Sequence, residues 1–236
     1  MSELQFTEKD GYVAFFDILG YGEIDNCTEV LRILRETHEK IKKMLEKAER
    51  DLTSASCSCE HFLFGDSIIL FFGGKPQNCW PYVALFCQQI FRGLWDKGIA
   101  LRGAIAKGVW YRDRIAECYG YAGKPIVEAH RYAEILDFAG CVLTPSAEDL
   151  TEIPVNFAIE VGAEPLCFSQ REVQIKQIGK QKLFLLLPKG PITRDDVRKR
   201  FQSFNRRIGS ATLSKFNNTV ALMSSEGASK PPPEMR

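Results

Sequence analysis

The chain has almost no net charge: 31 lysines and arginines face 30 aspartates and glutamates, leaving +1 over 236 residues. Without a basic bias there is no global electrostatic case for binding nucleic acid or a membrane surface. Long hydrophobic runs are also missing. No stretch approaches the roughly 20 apolar residues of a membrane span. The first residues, MSELQFTEKD, are polar and acidic, unlike a signal peptide. The expectation is a cytoplasmic protein with neither a membrane nor a nucleic-acid partner. Histidine is scarce, and His38, His61 and His130 fall at no spacing that suggests a proton relay. There are eight cysteines but no CxxC pair. Cys57, Cys59 and His61 are spaced too tightly for a zinc knuckle. Reduced thiols are therefore favoured over structural zinc.

What is present suits one soluble domain with a full core: 45% hydrophobic and 26% charged residues. Residues 12–19 read as a buried strand, followed by a turn at Gly20 and Gly22. Asn26 with Glu29 resembles a capping box. It opens a helix with Val30, Leu34, Ile41, Leu45 and Ala48 on one face. Residues 61–72 read as two strands meeting at Gly65-Asp66, a natural hairpin turn. After a loop from Lys75 to Asn78, a second amphipathic helix carries Trp80, Val83, Cys87, Ile90, Phe91 and Leu94. A strand over 99–111 is interrupted by Gly103 and Gly108, which implies close approach of a backbone or a ligand. Pro125 suits the first position of a helix running to about Phe138. Strands at 141–143, near 155–161, at 172–178 and at 182–187 follow, and Thr193 with Asp196 opens a further helix. The order predicts an α+β fold with a ferredoxin-like core, a mainly antiparallel sheet with helices packed on it. Residues 1–190 are assigned to that domain, 191–225 to a helical extension and 226–236 to a disordered tail.

Two aspartates carry the chemistry. Asp17 lies at the end of YVAFFDILGYG and Asp66 lies in HFLFGDSIILFF. A carboxylate beside an apolar strand is costly to bury unless a cation or several donors meet it. Each alone is also an ordinary strand-end or turn residue. Together they suit Mg2+, which takes carboxylate and phosphate oxygens. That points to phosphoryl transfer assisted by metal ions. Arg102, beside Gly103, supports such a site or pairs with an acid.

With these residues in place, the sequence resembles the class III nucleotidyl cyclases over roughly residues 10 to 190. FFDILGYG matches the first strand with its metal aspartate, and Gly65-Asp66 the hairpin aspartate. RGAIAKGVW matches a later glycine-bearing strand. GKPIVEAHR, Gly123 to Arg131, matches the family's helix motif loosely. The departures are specific. Phe62 stands where purine cyclases carry a base-reading lysine. Tyr119-Gly120-Tyr121-Ala122 lacks the partner acid, and Val127 replaces the ribose-positioning asparagine. A site reading adenine or guanine by hydrogen bonds would need paired polar groups there. The chain is most similar to the bacterial Pycsar pyrimidine cyclases.

That resemblance implies a homodimer with sites at its interface. It implies a nucleoside triphosphate substrate, UTP favoured over CTP, and a cyclic monophosphate product read by a separate effector in antiphage defence. It implies two Mg2+ or Mn2+ ions held by Asp17, Asp66 and the Ile18 carbonyl. Arg131 would act on the α-phosphate. The amides of the turn Ile18, Leu19, Gly20 and Tyr21 would meet the β- and γ-phosphates. Phe62 and Tyr121 would wall the base, with core packing as the alternative for Phe62. Lys176, ahead of Lys180 and Lys182, would reach the triphosphate. The alternatives are a purine cyclase with an unusual base pocket and a catalytically silent cyclase-like domain.

Overall fold

Alternation along the first strand decides how the layers form. In a strand, successive side chains leave on opposite faces. In the computed structural model, which describes residues 6–51, 57–115, 118–152, 168–176, 178–186, 193–203 and 209–224, strand β1 (Thr7–Ile18) is apolar on both faces. Tyr12, Ala14, Phe16 and Ile18 pack with helices α1 (Cys27–Asp51) and α2 (Pro76–Asp96). Val13 and Phe15 pack on the other face with helix α3 (Lys124–Ile135). Each fully buried Phe or Ile contributes about 1.5–3 kcal/mol, so a strand sandwiched this way is the mechanical centre of the fold.

The sheet has the order β2-β3-β1-β4-β6-β8-β7, with β5 paired to β4. The strands are β2 (Ser58–Phe64), β3 (Ser67–Gly73), β4 (Leu101–Ile115), β5 (Cys118–Gly123), β6 (Gly140–Leu143), β7 (Phe168–Ile175) and β8 (Gly179–Leu186). All pairings are antiparallel except β4 with β6. This is the α+β arrangement expected from the element order. Helices α4 (Arg194–Phe201) and α5 (Ser210–Ser224) bury Val197, Phe201, Phe216 and Met223 against Leu19, Trp95, Ala100 and Ala139. Thr193 and Asp196 form a reciprocal capping box at the start of α4.

Several boundaries differ from the sequence expectation. β4 runs four residues past Tyr111 and pairs with β5, which the sequence presented only as a Gly-Tyr stretch. α2 begins at Pro76, inside the expected loop, because proline suits the first helical turn. α3 ends at Ile135 rather than Phe138, β7 ends at Ile175 rather than at 178, and β8 begins at Gly179 rather than at 182. The expected strand near 155–161, the tail 226–236, Cys167 and the side chains of Leu45 and Ala48 lie outside the described residues. The seven cysteines within them are free thiols.

Gly103 explains one of the two glycines in β4. It pairs with Phe16, and a Cβ there would sit 2.7 Å from the Phe15 carbonyl oxygen and 2.5 Å from the Phe16 ring. The close approach is backbone and core, not ligand. Gly103→Ala should therefore lower stability by about 1–3 kcal/mol, read as a drop in the urea midpoint at unchanged slope; an unchanged midpoint would show that the strands part freely.

Candidate active site

The sheet ends where β1 stops, and there the two aspartates meet. Asp17 is opposite Ser67 on β3 and Arg102 on β4. The β2–β3 turn at Gly65-Asp66 folds over the same end, because the Ile18 amide donates to the Asp66 carbonyl at 3.1 Å. The two carboxyl groups are close enough to share a hydrogen bond. Arg102 reaches Asp17 with two nitrogens, Nε at 2.8 Å and Nη2 at 2.6 Å, both on Oδ2. The remaining Nη1 donates to the carbonyls of Glu134 at 2.9 Å and Leu136 at 3.4 Å, at the end of α3. The Asp17 and Arg102 side chains are only 16% and 17% exposed, so this pair is shielded from water and salt.

Burial pushes the Asp17 carboxyl above the usual aspartate range; Arg102 pulls it down, and the charge of Asp66 pushes it up again. A raised carboxyl beside a second carboxyl is a site where added positive charge is favourable. Mg2+ typically takes one or two carboxylates and keeps waters or phosphate oxygens for the rest. Asp17 and Asp66 bring two carboxylates of that kind side by side. Among the described residues, this site included, no cluster of three or more His, Cys, Asp or Glu side chains is arranged to hold a metal. Cys57, Cys59 and His61 do not converge on a zinc site; His61 Nε2 instead meets His38 Nδ1 at 2.7 Å on the α1 side.

The turn after β1 departs from expectation. Gly20 takes a left-handed conformation (φ 72°), which glycine adopts without strain. It leads into a 3-10 turn at Tyr21–Glu23. The Ile18 amide is taken by Asp66 and the Leu19 amide donates to Ala100 O at 2.9 Å. The Leu19 side chain is buried under α4 and α5. Ile18 and Leu19 therefore do not offer amides to a phosphate; the hairpin and β4 satisfy them first. Tyr21 lies partly buried near Asp66.

Phe62 and Tyr121 come together on the α3 face, with ring centroids 4.7 Å apart, and Tyr121 stacks on Phe71 at 4.4 Å. Phe62 is opposite Ile69, which is opposite Phe15, two residues from Asp17. Beside them Glu60 accepts from Arg112 at 2.6 Å and from the Tyr121 hydroxyl. Arg131 is exposed on α3. Lys176 pairs with Asp137 at 3.2 Å, and its amide donates to Ile135 O. The sequence did not single out Glu60, Arg112, Asp137 or Lys215, since no motif spacing links them to the aspartates.

No family model matches this chain, and no curated protein matches it. Solved structures do. A bacterial light-regulated adenylyl cyclase superposes with TM-score 0.52 and 11% identity, covering 87% of this chain and 59% of that one. The catalytic core of a rhodopsin-guanylyl cyclase with converted specificity, in complex with ATPalphaS, gives TM-score 0.48 and 12% identity over 79% of this chain and 100% of that one. The adenylyl cyclase CyaB from P. aeruginosa gives 0.48 and 14% over 79% and 98%. At 11% identity the first likeness is one of fold: this chain has the architecture of a nucleotide-cyclase domain.

A raised carboxyl has a definite pH signature. The folded state holds the Asp17 proton more tightly than the unfolded chain, so its contribution to stability is full below the usual aspartate value and is lost as pH rises through the raised value. Urea midpoints of the metal-free protein should fall across that window, and Asp17→Asn should flatten the fall. An equally steep profile in the variant would assign the dependence to another group.

Proposed function

We propose that the protein is a nucleotidyl cyclase that converts UTP, or less favourably CTP, to the 3′,5′-cyclic monophosphate and pyrophosphate. The observation that carries this is the juxtaposition of the Asp17 and Asp66 carboxyls at the end of β1. The ribose 3′-oxygen forms a bond to the α-phosphorus, the bond to the β-bridging oxygen breaks, and pyrophosphate leaves. Asp17, Asp66 and the Ile18 carbonyl would hold two Mg2+ or Mn2+ ions, which when bound lower the pKa of the 3′-hydroxyl and neutralise the triphosphate. The chain's own contributions are orientation and charge. Gly20 and Tyr21 would border the phosphates, and Lys176 would approach their distal end. Arg131 would stabilise charge on the α-phosphate. Its exposure on α3 suits a symmetric homodimer in which each copy lends the arginine to the other's site.

The pyrimidine preference rests on Phe62, whose position offers a ring edge where a purine reader needs a polar group. Glu60, the acid nearest to it, is already held by Arg112 and Tyr121. The wider role would be signalling: the product is read by a separate cyclic-nucleotide effector in bacterial antiphage defence, with the enzyme in the cytoplasm. Two other readings have support of their own. The fold likeness to an adenylyl cyclase favours ATP as an alternative substrate. The Arg102 grip on Asp17 favours a silent nucleotide-binding domain, because a guanidinium there competes with a metal ion.

Turnover with Mn2+ and each of ATP, GTP, CTP and UTP, with products resolved by mass, separates them. A cyclic pyrimidine monophosphate is expected; cyclic AMP or GMP would overturn the base assignment, and no product would favour the silent domain. Asp17→Ala and Asp66→Ala should each lower the rate by about 100-fold or more, and Arg131→Ala should reduce kcat more than it changes KM. Wild-type rates in either aspartate variant would remove the two-carboxylate site.

A further inference from the structure

Two histidines meet on the α1 side of the sheet. His61 Nε2 lies 2.7 Å from His38 Nδ1, and the ring centroids are 4.5 Å apart. Both residues are half-buried. At that distance one nitrogen donates and the other accepts, so at least one ring is neutral. β2 is an edge strand paired with β3. Its Glu60 leaves on the opposite face, to Arg112 and Tyr121, while His61 hydrogen-bonds to α1. Further along, the same hairpin turns at Asp66, whose carbonyl accepts the Ile18 amide at 3.1 Å. The surroundings offer a second proton little compensation. On α1, Arg35, Glu39 and Lys42 flank His38 and are exposed. On β2, Cys59 shares the face of His61, and β3 has no ionisable side chain. α2 carries Cys79, Tyr82 and Cys87 in the adjoining apolar cluster, with Arg92 half-buried and Asp96 exposed. Among the described residues, burial and the charge of His38 act on the His61 imidazole, both drive its proton off, and no carboxylate offsets them.

We infer that the His38–His61 contact is an acid-sensitive latch: it ties the hairpin that presents Asp66 to α1 until a second proton opens it. Two imidazoliums at this distance repel each other, and neither has a lone pair left to accept with. The effect on activity rests on the cyclase reading above; the latch itself does not. A histidine that holds its proton less tightly folded than unfolded contributes fully to stability above about pH 6.5, the ordinary histidine value. That contribution is lost as pH falls through the lowered value. The direction is the reverse of the Asp17 dependence, so variants separate the two.

The experiment follows amide hydrogen exchange of the full chain at about pH 7.5 and about pH 5, either side of the ordinary histidine value. Corrected for intrinsic exchange, the Ile18 amide, held by Asp66 O, should lose about tenfold or more in protection at the acid pH. His61→Gln and His38→Gln, which cannot take the second proton, should lose less than about twofold. His130→Gln removes the remaining histidine, on the other face against Phe15, and should behave as the parent. Ring titration by NMR adds a reading that burial alone would not move: in His38→Gln the His61 value should rise toward about 6.5. Urea midpoints at the higher pH check that each variant is folded. If acid leaves Ile18 protection unchanged in the parent, or lowers it as far in both latch variants, the inference is wrong. It is also wrong if His61 titrates in His38→Gln as it does in the parent. With Mn2+ and the best nucleoside triphosphate, kcat/KM should fall about threefold further on acidification in the parent than in His61→Gln. If protection behaves as expected and no triphosphate is turned over, the latch stands and the cyclase assignment falls.

Discussion

The structure depends on how one buried carboxylate is compensated. Asp17 sits at the last turn of a strand that is apolar on both faces, so water is largely excluded from it. Arg102 meets it through two nitrogens and uses its third to hold the end of α3. Removing either partner would leave a charge buried and unpaired, a change that typically costs about 3–5 kcal/mol. The same contact therefore fixes three things at once: the end of β1, the register of β4 and the seat of α3. Asp66 arrives on top of it through the hairpin turn, and a second negative charge is what keeps the compensation incomplete.

The rest of the fold distributes tasks between the two faces of the sheet. One face, under α1 and α2, is a conventional apolar core. The other carries α3, the ring cluster of Phe62, Phe71, Trp110 and Tyr121, and the charged end with Asp17 and Arg102. Alternation along β1 is enough to separate them, since Phe16 and Asp17 must leave on opposite sides. α5 closes the charged end from outside the sheet, through Glu23 and Asp137.

Much of this was legible in the sequence because it rests on local rules. Helical periodicity marked α1 and α2, the Thr193–Asp196 box marked α4, and Gly65-Asp66 marked the hairpin. What was not legible depends on contacts between distant residues. Arg102 stood out by its position beside Gly103, but its partner is 85 residues away. The amides of Ile18 and Leu19 looked free because nothing local takes them; Asp66 and Ala100 do. β5 has glycine and tyrosine where strand periodicity would be read, and it exists because β4 offers it an edge. Lys215 looked like any helix lysine, and its charged neighbours come from β4, from the segment after α3, from the turn after β1 and from the segment between β7 and β8.

Two of the three tryptophans sit in separate compartments and can report on them independently. Trp110 is fully buried in the ring cluster beneath α3, its indole N–H donating to Phe72 O at 3.4 Å. Trp95 belongs to the other cluster, with α4 and α5. The Arg200 guanidinium lies 4.9 Å over its ring, and Arg200 Nε donates to its carbonyl. A guanidinium over an indole and a phenol stacked nearby perturb emission in different ways. Release of the C-terminal helices would therefore change the colour of one fluorophore while the other still signals an intact sheet.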